Sequence, residues 1–153
     1  MRFHFLDRIL EIETGKRARG VKQVTNMDEF LLAHYPLRPV MPGTLLLETI
    51  AQLGGWLHVA STGFRSRTVM GLLQNARLHR EVVPGDRLIV EARIVYAHRD
   101  GAELTGSIHA DGALIAEVGR LMFVSETTRD EEFARISRER LRYLTGDLRI
   151  LQA

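Results

Sequence analysis

Cysteine is absent from this chain of 153 residues, so neither a disulfide nor a thiolate metal site can staple it, and nothing marks an oxidising compartment. Lysine is almost absent too. Lys16 and Lys22 are the only two, and arginine supplies the rest of the 21 basic side chains. Because 19 acidic residues are interleaved with them, the formal net charge is only +2, and no DNA- or RNA-binding motif of the usual kinds appears. That composition argues against a nucleic-acid groove but leaves room for a local basic patch that meets an acidic partner through guanidinium forks. Long uninterrupted apolar runs are missing as well. The most apolar stretch, 44–60, carries Glu48, Gln52, Gly54, Gly55 and His58, which makes it a poor membrane span. The first residues break every apolar pair with charge, unlike a signal peptide. A cytoplasmic, single-core protein is the expectation.

Proline is also scarce, with four in the chain, yet Pro36, Pro39 and Pro42 fall within seven residues. Each fixes its own φ and restricts its predecessor, so the segment from His34 to Gly43 is a stiff loop. A histidine on a stiff loop is an aimed histidine. The loop runs into a segment whose apolar residues occupy every helical face, as in a buried helix starting near Pro42-Gly43. Glu48 and Gln52 lie four apart on it and therefore share one stripe. A base on a rigid loop beside an acid in an apolar helix can move protons. The paired Gly54-Gly55 in mid-helix costs roughly 1 kcal/mol per residue against alanine, which implies close approach of a neighbouring layer.

The remainder reads as strands. Thr14-Gly15-Lys16 divides an early hairpin whose second arm reaches Thr25, and 27–33 forms a short helical turn. Later strands are expected at 68–73, 87–98, 102–110 and 113–124. Turns are read at Val82-Val83-Pro84-Gly85-Asp86 and at two Asp-Gly pairs, Asp100-Gly101 and Asp111-Gly112. The tail turns helical, with Thr128-Arg129-Asp130-Glu131 as a capping box and Phe133, Ile136, Leu141 and Leu144 as an apolar stripe. The fold class is therefore α+β in the hotdog layout, an antiparallel sheet wrapped around one long central helix, plus a short C-terminal helix. Residues 1–125 form the hotdog domain and 126–153 a helical extension. His4, His79, His98 and His109 lack metal-ligand spacing, and His58 suits the core or a tunnel wall.

His34-Tyr35-Pro36-x-Arg38-Pro39-Val40-Met41-Pro42-Gly43 with Glu48 and Gln52 resembles the active-site segment of 3-hydroxyacyl-ACP dehydratases of the FabZ/FabA type. The resemblance extends, in order, through Asp7-Arg8-Ile9-Leu10-Glu11-Ile12, Val21-Lys22 and Val82-Val83-Pro84-Gly85-Asp86, covering about residues 3–124. It implies a lyase that dehydrates a 3-hydroxyacyl thioester on acyl carrier protein to the trans-2-enoyl thioester in fatty-acid or similar biosynthesis. His34 would be the base and Glu48 the acid, facing each other across a homodimer, alone or as a trimer of dimers. Gly43 would offer its N–H to the thioester carbonyl, Val40 its carbonyl to orient the site, and Gln52 would brace Glu48. No cofactor or metal is implied, and neither nucleic acid nor membrane is a partner. Arg65, Arg67, Arg77 and Arg80 are candidates for meeting the acidic carrier, and 68–73 for the dimer edge. Two departures stand out: Leu37 replaces a family glycine and Glu81 a common proline, the latter expected to matter little. Leu37 keeps open a non-catalytic acyl-binding hotdog, and an acyl thioesterase is the other alternative.

Overall fold

The computed structural model describes residues 4–32, 34–35, 37–98 and 100–146. Ala33 and Pro36 of the loop and 147–153 of the tail extension, on which the readings above partly fall, lie outside the described residues. The long helix α1 spans Gly43–Ser61. Around it wrap β1 (Arg8–Glu13), β2 (Arg17–Gln23), β3 (Ser66–Leu78), β4 (Arg87–His98), β5 (Gly101–Ala110) and β6 (Ala113–Thr127), with α2 (Glu131–Thr145) at the end. One 3-10 turn, Glu29–Leu32, precedes the loop. The six strands form one sheet in the order β1-β2-β4-β5-β6-β3, with every neighbour antiparallel. This is the hotdog fold.

The sheet bends around α1 because both present apolar surface to the same core. Leu46, Ile50, Leu53 and Leu57 of α1 are at most 2% exposed and meet Leu88, Leu104, Ile108 and Leu121 of the sheet, each fully buried. Gly54 explains how near the layers come. A Cβ there would sit 3.2 Å from Phe123 and 3.3 Å from Leu104. Among the described residues no helix is long and apolar enough to cross a membrane.

Several local expectations change. β3 runs five residues beyond the expected 68–73, as far as Leu78. It is an edge strand, and most of its side chains are exposed, so burial imposes no alternation that would reveal its length. Asp111-Gly112 is a two-residue hairpin turn with φ of 51° and 79°, as the pair demands. Asp100-Gly101 is not one. Gly101 already pairs with His98 as the first residue of β5, and a Cβ on it would lie 2.1 Å from the Phe123 carbonyl oxygen. That glycine permits close backbone packing. The expected capping box also shifts by two residues. Asp130, not Thr128, caps α2 by accepting from the Phe133 N–H, while Thr128 Oγ1 accepts from the Asp130 N–H.

Helix α2 packs against β1, and side chains of α1 and α2 border a space between the two helices. Its buried residues are Ala134, Ser137, Leu141 and Thr145, and Leu141, 1% exposed, belongs to the main core. The inward face thus passes through small residues rather than through the Phe133–Ile136 pair of the expected stripe. Ile136 stays 41% exposed.

Candidate active site

The loop from His34 to Met41 is fastened at both ends by its own backbone. The Tyr35 and Arg38 main chains exchange two hydrogen bonds (3.0 and 3.1 Å), and Val40 N–H donates to the His34 carbonyl at 3.4 Å. Met41 N–H then donates to the Val82 carbonyl at 2.8 Å, forming an isolated antiparallel bridge. The 82–86 turn is thereby the loop's anchor, and it is itself braced. Asp86 accepts from the Val83 N–H at 2.9 Å and from both terminal nitrogens of Arg80. Burial alone would raise the Asp86 carboxyl, but Arg80 and that N–H outweigh it and hold it below the usual carboxylate range. A second strut joins the loop tip to the same region: the Arg38 guanidinium pairs with the Glu81 carboxylate. Glu81, in place of a proline, is thus the partner of Arg38. Leu37 is 98% exposed, so its side chain takes no space from the loop interior.

His34 is half-buried, its ring 4.6 Å from that of Tyr35. Val40 is buried. Past Pro42 the chain enters α1 with no side-chain cap, and the first helical bonds run from Leu45 and Leu46 to the Pro42 carbonyl. The Gly43 N–H therefore has no partner among the described residues, at the positive end of the helix dipole. A Cβ on Gly43 would meet Leu78 at 2.3 Å. Met41, Gly43, Leu46, Leu78, Arg80 and Glu81 are among the residues that border a depression of about 250 Å³.

Glu48 and Gln52, one turn apart, are brought together: Gln52 Nε2 donates to Glu48 Oε1 at 2.9 Å. The amide's orientation is fixed from its other side, since Gln52 Oε1 accepts the Phe5 N–H at 3.0 Å. His34 and Glu48 are not joined within the chain; among the described residues no hydrogen bond or ion pair links them. No cluster of three or more His, Asp or Glu suited to a metal occurs among the described residues.

His58, on the same helix, is 2% exposed and shares a 2.7 Å hydrogen bond with the Ser125 hydroxyl. Its Nδ1 has no partner, and burial pushes its pKa below the ordinary histidine value. This is a neutral core histidine. Two of the four candidate carrier-binding arginines are already engaged inside the fold. Arg67 pairs with Asp130 and lies over the Phe133 ring, fastening α2, and Arg80 braces Asp86. Arg77 is 75% exposed with a loose 3.6 Å pairing to Glu117, and Arg65 forms no ion pair among the described residues. Sequence reasoning gave His4, Trp56, Phe133 and Ile136 structural readings only, yet they line cavities between α1 and α2. The apolar spacing of Phe133 and Ile136 was the available signal.

Comparison with known proteins gives this constellation a context. The family model described as "FabA-like domain" matches residues 1–119. The chain is 39% identical over 137 residues to the 3-hydroxyacyl-[acyl-carrier-protein] dehydratase FabZ of Thermomicrobium roseum, covering 89% of each chain. It is 38% identical over 117 residues to the enzyme of that name from Bacillus subtilis, covering 76% of this chain and 83% of the relative. Among solved structures, a Streptococcus mutans protein bound to acetyl CoA superposes with a TM-score of 0.65 at 18% identity, covering 84% of this chain and 95% of the other. The dehydratase heterocomplex ApeI:P of Xenorhabdus doucetiae superposes with a TM-score of 0.57 at 14% identity, covering 71% and 88%. At such identities these structures speak for the fold alone. The family match and the FabZ relatives speak for more: the chain belongs to the FabA-like family of hotdog proteins.

Proposed function

We propose that the protein is a cytoplasmic 3-hydroxyacyl-ACP dehydratase acting as a homodimer, in which His34 of one subunit works opposite Glu48 of the partner subunit. Neutral His34 takes the C2 proton of the thioester, electrons move toward the thioester carbonyl, and the C3–O bond breaks as Glu48 protonates the departing oxygen to water. The trans-2-enoyl thioester remains. His34 then returns the proton it gained, and Glu48 regains the one it lost. The Gly43 N–H, free and at a helix N-terminus, stabilises the enolate oxygen as it develops, a contribution on the order of 3 kcal/mol. The Val40 carbonyl helps orient the site. Gln52 braces Glu48, the proton donor.

The observation that carries this reading is the bound Glu48–Gln52 pair beside an uncapped helix N-terminus, with His34 on its stiff loop forming no ion pair with an acid among the described residues. A second copy supplies what the single chain lacks. Edge strand β3, with Val69 70% and Met70 42% exposed, is the surface through which two sheets would join into one. Acyl carrier protein is the substrate carrier of the FabZ relatives, and we extend it to this chain, with exposed Arg65 and Arg77 as its contacts.

The test uses 3-hydroxyacyl-ACP and follows enoyl formation. His34→Ala and Glu48→Ala should each lower kcat by roughly a thousandfold with the fold intact. Unfolding and refolding the two inactive variants together should restore roughly a quarter of wild-type activity, since half the dimers would be mixed and each mixed dimer keeps one complete site of two. Full activity in either variant would overturn the roles. No recovery from refolded mixed dimers would overturn the shared site.

A further inference from the structure

Gln52 has two neighbours of consequence. One is Glu48, and the other is a cavity. From Gln52 an open recess of about 390 Å³ extends along α1 past Gly55, Trp56 and Val59, touches Thr68 of β3, and is bordered by α2 through Phe133, Ile136, Ser137 and Arg140. Its walls are mostly apolar, and it begins at the residue that holds the acid.

The Gly54-Gly55 pair bears on what this space is for. Packing against the sheet explains Gly54, where a Cβ would crowd Phe123 and Leu104. It does not explain Gly55. A Cβ there would stand 3.9 Å from Phe123, in ordinary contact, with nothing else near it. Gly55 borders the cavity. A helix-weakening glycine that packing does not require is accounted for if something must lie against it.

Opposite Gly55 stands α2, a helix beyond the residues matched by the family model. It is held firmly over the cavity by the Arg67–Asp130 pair, by Arg67 over Phe133, by Arg138 over Phe64 and by buried Leu141. Its largest cavity-facing apolar side chains, Phe133 and Ile136, are not the ones that bury it: its own packing runs through Ala134, Ser137, Leu141 and Thr145. Arg140 contacts His4 at 3.2 Å, and both also border the adjoining space of about 800 Å³ beside α2.

We propose that this cavity receives the acyl tail of the thioester and that α2 is its end wall, so that Phe133 and Ile136, facing Gly55, set the longest chain the enzyme accepts. This rests on the dehydratase reading for the chemistry at Glu48, but the gauge itself belongs to the extension. The tail enters past Gln52, lies along α1 where no Cβ projects at position 55, and meets α2. Each further methylene must then be left in water or must displace the helix.

The test is a chain-length series. 3-Hydroxyacyl thioesters of increasing length are assayed with wild type, Ile136→Trp, Ile136→Ala and Gly55→Ala. The last variant is safe for folding because alanine is the better helix former. Ile136→Trp and Gly55→Ala should lower the ratio of kcat/KM for long over short chains by roughly tenfold, as expected if about two methylenes lose their place. Ile136→Ala should raise it. The same series as unreactive acyl-pantetheine thioethers, titrated by calorimetry, reads the pocket without any chemistry. Unshifted length profiles in both measurements, in variants that remain folded, would overturn the gauge. A wild type that binds the thioethers with these length limits but dehydrates nothing would sink the dehydratase reading and leave the gauge standing.

Discussion

At its N-terminal end α1 meets a loop fastened by hydrogen bonds, whereas its C-terminal half lies beneath a helix fastened by buried apolar surface. The loop's restraints are directional: Met41 on Val82, Val40 on His34, and Arg38 on Glu81. Only the loop's C-terminal end, Val40 and Met41, is buried, and Tyr35 and Leu37 stay exposed. Helix α2 instead contributes Leu141 to the core, with an N-cap and an Arg67 strut to orient it. Directional bonds suit a segment that must aim a ring and leave an N–H open. Apolar packing suits a lid whose position need only be constant. Mutations at the two ends should therefore separate stability from catalysis.

The largest stability effect belongs to the packed end. Leu141→Ala removes a side chain that is 1% exposed and should cost about 2–5 kcal/mol of unfolding free energy, read by urea denaturation. A loss below about 1 kcal/mol would mean that α2 is not part of the cooperative unit.

Acidity should reach the same end of α1 next. His58 is buried, and its pKa is pushed down by burial, whereas the unfolded chain carries an ordinary histidine with a pKa of about 6.5. Between those two values the unfolded state binds the extra proton. Stability present above pH of about 6.5 is therefore lost as pH falls toward the folded value. Unfolding measured between neutral and mildly acidic pH should show this slope, and His58→Leu should flatten it. An unchanged slope in that variant would assign the pH dependence to other groups.

Most of the fold was legible because period and turn chemistry agree wherever one face is buried and the other is not. β4 came out at its observed bounds, since both its neighbours and α1 constrain it. β3 did not, because an exposed edge carries no such pattern. Asp100-Gly101 misled because one residue type serves two purposes, φ > 0 in a turn and absence of Cβ at a close approach, and here only the second applies. Of the candidate site, the Glu48–Gln52 pairing followed directly from helical spacing. The Arg38–Glu81 strut did not, because it joins positions 43 residues apart that only the 82–86 turn brings side by side. The cavity walls were hidden for the same reason: Phe133 and Gly55 are distant in sequence, and neither carries a reactive group.

The smallest expected stability effect, and the sharpest test of the comparison, lies in that strut. Arg38 and Glu81 are both well exposed, at 69% and 56%, so their attraction is screened and should contribute only about 0–1 kcal/mol to unfolding. The loop's backbone bonds to Val82 and His34 persist without it. Yet among the described residues it is the one side-chain ion pair that ties the loop carrying His34 to the next turn, and a base displaced by a fraction of an ångström loses rate. Glu81→Gln should therefore leave the melting temperature nearly unchanged and lower kcat several-fold, while KM for a short pantetheine thioester moves little. Because salt screens the pair, raising ionic strength should bring wild type toward the variant on that uncharged substrate. If kcat is untouched, the backbone bonds alone aim His34. If the melting temperature falls as far as in Leu141→Ala, the loop is part of the packed core after all, and the distinction between the two ends of α1 fails.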